Sequence, residues 1–176
     1  VELAMQNGLG PVTGKREWLP RLAGKVDIEA GGVPLAQLYA ATHFSGHKAQ
    51  LAAAISKLKD AELAAFLADE KRSKPLGFYS WSSDLESIFR QDRMLQSSLD
   101  TKQHAAGIVA VAQALAADAE ARQSYEQVMR LNERLTNNLT GPGYREFLIA
   151  INAGKVPNLP PDDPVSFFPA SRSHET

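Results

Sequence analysis

The chain has 176 residues, with 19 basic side chains, 20 acidic ones and four His, for a formal net charge of -1. Hydrophobic residues make up 44% of it, enough for a packed core, so wholesale disorder is excluded. The near-zero charge argues against a nucleic-acid partner, because neutralising phosphates needs a surplus of Lys and Arg.

The absence of Cys removes disulfides, thiolate zinc sites, iron–sulfur clusters and cysteine nucleophiles together. It is compatible with a cytoplasmic or an exported location. No apolar run reaches the roughly 18 residues that a membrane-spanning helix needs. The most apolar stretch, Ala105 to Ala117, is rich in Ala and interrupted by Gln113. Because the chain opens on Val1 with no basic-then-apolar leader, it reads as a processed chain or as a piece of a longer polypeptide.

In chain order, residues 1–32 hold six of the 12 Gly and read as a loop-rich, extended N-terminal arm. Pro20 is expected to interrupt any helix over Lys15–Leu22, and Trp18 and Leu19 to anchor the arm. From Gly32 the pattern turns helical. Pro34 suits a first helical turn, with Leu35, Leu38, Tyr39 and Thr42 at three-to-four spacing. Leu51, Ile55 and Leu58 form a second stripe, and Asp60 is a candidate N-cap for a third carrying Leu63, Phe66 and Leu67. Ser73 to Gly77 breaks the pattern.

Ser83 and Glu86 have capping-box spacing, opening a helix with Leu85, Ile88, Phe89 and Leu95. A further helix is predicted from about Thr101 to Asp118, with Ile108, Val111, Ala112 and Leu115 on one face. Residues 119–135 continue helical, bent or after a tight corner, with Tyr125, Val128, Leu131 and Leu135 as the stripe. Asn137 to Pro142 stop it, and Tyr144 to Ile151 make one last helix. Residues 156–176 contain half of the ten Pro and read as an extended tail, with Phe167-Phe168 able to dock. The expectation is an all-α, irregular bundle of six to seven helices over 33–152, between the arm of 1–32 and the Pro-rich tail of 153–176. The 26 Ala favour close helix approach.

Four features bear on whether the chain carries chemistry. His43 and His47, four apart, would aim both imidazoles at one metal if they shared a helix. No Glu lies between them, so the zinc-protease pattern is absent, and no cofactor is expected. The second feature is Gly77–Ser83, with Phe78, Tyr79 and Trp81 just before a capped helix. It is either a stacking platform edged by Ser80 and Ser82, beside amide groups able to bind an anion, or a plug in which Phe78 and Trp81 enter the core. Plugging is the expected outcome.

Third, Asp92 falls on the apolar stripe of its helix, where a carboxylate is costly unless paired. Arg90 and Arg93 point elsewhere, so a distant partner such as Arg72, Lys74 or Arg145 is expected. A polar cleft of Arg90, Asp92 and Arg93 beside Tyr79 and Trp81 is the functional alternative. Fourth, Gly8-Leu9-Gly10 and Gly141-Pro142-Gly143 lack the strand–helix context of a phosphate loop and read as turns. No Gly-x-Ser-x-Gly elbow is present.

These features favour a non-catalytic helical domain that binds or scaffolds a protein partner, or the remainder of a larger polypeptide. The alternatives are a hydrolase or lyase pocket around the Phe78–Trp81 segment and Asp92, or a small-ligand (sugar) binding module there. The leading reading requires an exposed apolar patch. The enzyme reading requires a concave site that holds Asp92 and a reachable His.

Overall fold

Apolar residues at helical spacing dominate this chain, and the computed structural model, which describes residues 1–135, 143–159 and 164–168, is all-α. Nine α-helices form among the described residues. They are α1 (Glu2–Asn7), α2 (Lys15–Lys25), α3 (Ile28–Phe44), α4 (Ala53–Ala68), α5 (Glu70–Ser73), α6 (Ser83–Leu95), α7 (Thr101–Ala117), α8 (Ala119–Leu135) and α9 (Tyr144–Asn152). A 3-10 turn spans Gly77–Trp81. No strand forms among the described residues, and no helix there is long and apolar enough to cross a membrane.

Helix α3 is the hub, packed against α2, α4, α6 and α7. It can be central because its buried face is made of Leu35 and Leu38 interleaved with Ala36, Ala40 and Ala41, so neighbouring backbones come close. Gly32, at φ +51°, kinks α3, and the helix restarts so that Pro34 sits in a first turn where its missing N–H costs little. Gly107 of α7 faces this kink. A Cβ there would stand 2.4 Å from the Gly31 carbonyl oxygen and 2.8 Å from the Pro34 ring, so only a glycine fits the α3–α7 crossing.

The N-terminal segment differs from expectation. Residues 1–32 carry α1, α2 and the start of α3, and Trp18, Leu19 and Leu22 are wholly buried. Pro20 lies inside α2 without ending it. The apolar residues on both sides of the proline share one buried face, and their packing outweighs the lost backbone hydrogen bond. Two further corrections concern helix starts. Asp60 lies inside α4, which fuses the second and third predicted stripes. The cap of α6 is Ser82 rather than Ser83, its Oγ accepting from the Leu85 amide at 3.2 Å. Residues 137–142, read as a stop, lie outside the described residues.

The corner after α7 is made by Asp118. Its Oδ1 accepts from the Ala121 amide at 3.1 Å, and its Oδ2 from Arg21 at 3.2 Å and Lys25 at 3.1 Å. At the other end of the chain, Phe167 and Phe168 dock. Leu99 and Val165 exchange backbone hydrogen bonds of 2.8 and 3.0 Å, and the Phe168 amide donates to the Leu95 carbonyl at 2.9 Å. Both rings then join Trp18, Tyr125 and Tyr144 in one aromatic cluster with centroids 5.0 to 6.5 Å apart. Tyr125 Oη donates to the Phe167 carbonyl at 2.8 Å, closing the cluster.

Candidate functional site

Between α1, α2, α6 and α8 lies a cavity of about 240 Å³ lined by Glu2, Tyr79, Asp92, Arg93, Gln96 and Asn132, with Lys15, Phe89 and Phe168 behind them. Three of the residues singled out from sequence meet here: Tyr79, Asp92 and Arg93. Tyr79 enters because the 3-10 turn packs on α6, with its ring 5.2 Å from that of Phe89. Its hydroxyl donates to Glu2 Oε1 at 3.2 Å. Burial pushes the Tyr79 phenol well above its ordinary pKa, and the charges of Glu2 and Asp92 and the bond to Glu2 push it further. Tyr79 therefore stays a neutral donor across the physiological range.

Asp92 is paired, as its place on the stripe demands, but with none of Arg72, Lys74 or Arg145. Its Oδ2 sits 2.6 Å from Lys15 Nζ, and the Lys15 side chain is only 3% exposed. Oδ1 accepts from Gln91 Nε2 at 3.2 Å. Gln91 and Gln6 also exchange two amide hydrogen bonds, 3.1 and 2.7 Å, with both residues buried, which fixes α1 across α6. Two of the three expected partners are engaged elsewhere. Arg72 bonds Ser97 Oγ and stacks over Phe66, and Arg145 bridges Glu126 and Glu133. Lys74 is exposed.

Arg93 lines the cavity and donates to Gln96 Oε1 at 3.2 Å. Arg90 donates to the Ser73 carbonyl at 3.3 Å, which ties α5 to α6. Lys15, Glu2, Gln6 and Gln91 were missed by the sequence reading, although one signal pointed to Lys15. Positions 15, 18, 19, 22 and 23 share a helical face, and the last four are core.

The aromatic segment does not plug the core. Trp81 is 80% exposed, Phe78 42% and Leu76 65%. The rings form a continuous ledge. Trp81 meets Phe78 edge-on at 6.3 Å, and Phe78 stacks on Tyr79 at 4.2 Å, so an exposed indole connects through Phe78 to the cavity wall. The hydroxyls expected to edge a stacking platform hold the segment's own backbone. Ser80 Oγ donates to the Gly77 carbonyl at 2.7 Å, and Ser82 caps α6. Asp84 and Glu86 occupy the first turn of α6, which makes it a poor anion site.

His43 and His47 do not share a helix. Helix α3 ends at Phe44, Gly46 turns back at φ +86°, and His47 lies beyond the turn. Among the described residues no group of three or more His, Asp or Glu is placed to hold a metal ion. Neither His lines the cavity. No family model, curated protein or solved structure matches this chain.

Proposed function

We propose that this protein is a non-catalytic helical binding domain that holds a protein partner on the Leu76–Trp81 ledge, with the adjoining cavity receiving one polar side chain of that partner. The carrying observation is the exposure of three large apolar side chains within six residues of one short turn, on a molecule whose other aromatic rings mostly pack inward. Exposed apolar side chains clustered in this way are characteristic of interaction surfaces. Trp and Phe are effective anchors because they bring large area with few rotatable bonds.

The chemistry of the cavity supports binding over turnover. Asp92 is neutralised by Lys15, Tyr79 is held as a donor, and no His, Cys or activated Ser lines the space. The two carboxylates that line it, Glu2 and Asp92, are each already engaged, by the Tyr79 hydroxyl and by Lys15, which weighs against either serving as a general base or nucleophile. The inward commitment of Ser80 and Ser82 weighs against a sugar, which needs polar groups beside the stacking face.

A photo-crosslinking amino acid placed at position 81, compared with one at the exposed Lys57 of α4, tests this in cells that make the protein. A discrete adduct of fixed mass from position 81 and none from position 57 is expected. Equal labelling from both positions, or none from either, contradicts the proposal. Quenching of Trp81 fluorescence by a glycan, without any protein adduct, would instead establish the sugar-binding alternative.

A further inference from the structure

On the opposite side of α8 from the cavity, a groove of about 550 Å³ runs between α8 and α9. Its wall on α8 extends from Arg122 to Arg130, roughly 12 Å at the helical rise per residue. Ile149 of α9 stands in it 70% exposed, beside the buried Leu148. A β-branched apolar side chain facing water in a concave, charged setting gains most from a partner that covers it.

The charges around Ile149 are unequal. Glu126 and Glu133 are both drawn to Arg145, Glu126 at 3.1 Å. Arg122 donates to neutral acceptors, the Ala116 carbonyl at 3.2 Å and Asn152 Oδ1 at 3.3 Å. Arg130 is 71% exposed and reaches Glu126 only at 4.0 Å, the edge of ion-pair range. Two guanidinium groups thus stand at the two ends of a short groove with an apolar centre, and their charge is not compensated by the lining carboxylate. Guanidinium forks take carboxylates bidentately, which rewards an acidic ligand at both ends.

We propose that the α8–α9 groove is a second docking surface, for a short acidic segment of a protein partner whose apolar side chains cover Ile149 and whose flanking carboxylates meet Arg122 and Arg130. This surface is independent of the Leu76–Trp81 ledge, and either can stand if the other fails.

Fluorescence anisotropy of the whole protein with two labelled peptides tests it. Each is about ten residues long, enough to span the groove, with a central Leu pair flanked by Glu in one and by Lys in the other. Saturable binding of the Glu peptide, weakening as salt rises, is expected, with none for the Lys peptide. Arg130→Glu and Ile149→Ser alter exposed side chains and should melt like the wild-type protein, yet each should weaken binding about tenfold or more. Trp81→Ala should leave it unchanged. The proposal is overturned if the Glu peptide fails to saturate up to millimolar concentration, if both peptides bind alike, or if neither groove variant weakens binding. It is equally overturned if the protein alone dimerises and Arg130→Glu abolishes the dimer, which would put a second copy in the groove.

Discussion

Lys15 and Asp92 each stand on the apolar stripe of a helix, and each is tolerable there only because the other is within 2.6 Å. Removing one partner leaves a poorly solvated charge. Asp92→Ala should therefore destabilise the fold by about 3 kcal/mol, at the low end for a buried pair because Asp92 is 23% exposed. The double variant Lys15→Met/Asp92→Leu should recover most of that loss, as measured by urea unfolding. A double variant no more stable than Asp92→Ala would show that the pair has a role beyond mutual neutralisation. This pair also marks how far the sequence can be read. Asp92 stands out by its spacing from Ile88 and Leu95, and Lys15 by its spacing from Trp18 and Leu22, so two opposite misfit charges were both visible. They were not matched because Pro20 suggested that the segment around Lys15 is not a helix. Trp81 was misjudged for a different reason. Composition ranks a Trp as an anchor, and only the 3-10 geometry shows that the shorter reach of Tyr79 goes inward while the indole goes out.

Helix joints carry the next level of specification. Asp118 ends α7, caps α8 through the Ala121 amide and binds two cations of α2, so one side chain fixes three helices. Burial alone would raise its pKa. The Ala121 amide, Lys25 and Arg21 together outweigh burial and hold it below the ordinary carboxylate value. A carboxyl depressed in the folded state contributes stability that is complete above its unfolded pKa, near 4, and is lost as pH falls through the folded value. Asp118→Ala should cost about 2 kcal/mol at neutral pH, and the gap to the wild-type protein should narrow as pH drops below about 4. Thermal melts of both proteins across that range check it, and a gap that stays constant would contradict the assignment. At the α3–α7 crossing, Gly107→Ala gains helix propensity but forces Cβ against the Gly31 carbonyl. Overpacking of about 1–3 kcal/mol exceeds the roughly 1 kcal/mol of propensity, so a lower melting temperature is expected. The corner at 118 was legible only as an ambiguity between bend and turn, because the Ala residues that end Ala-rich α7 continue into the first turn of α8 and blur the boundary. The crossing at Gly107 was invisible, since one glycine in a helix does not disclose what lies opposite.

At the scale of the whole molecule, the core is closed by segments far apart in the chain. Trp18 from α2 and Phe167 and Phe168 from the segment after α9 meet at Tyr125. Phe167→Ala should cost about 3–4 kcal/mol in urea unfolding, as deletion of a buried ring does. A change within about 0.5 kcal/mol would show that the segment does not belong to the core. The all-α architecture and most helix stripes were readable from periodicity, because local apolar spacing decides them. That Phe167-Phe168 can dock and that Trp18 anchors was also legible, but not that they meet at Tyr125, because the place where a Pro-rich segment docks is fixed by long-range packing that no local pattern encodes. Leu76, Phe78 and Trp81 are among the large apolar side chains left outside this core, and the functional reading rests on that ledge being surplus to folding. Urea unfolding of Trp81→Ala, followed by the fluorescence of the buried Trp18, tests that most directly. Stability within about 0.5 kcal/mol of the wild-type protein is expected for a side chain reserved for recognition. A loss of about 3 kcal/mol would mean that the indole is a core anchor after all and would contradict the proposed binding surface.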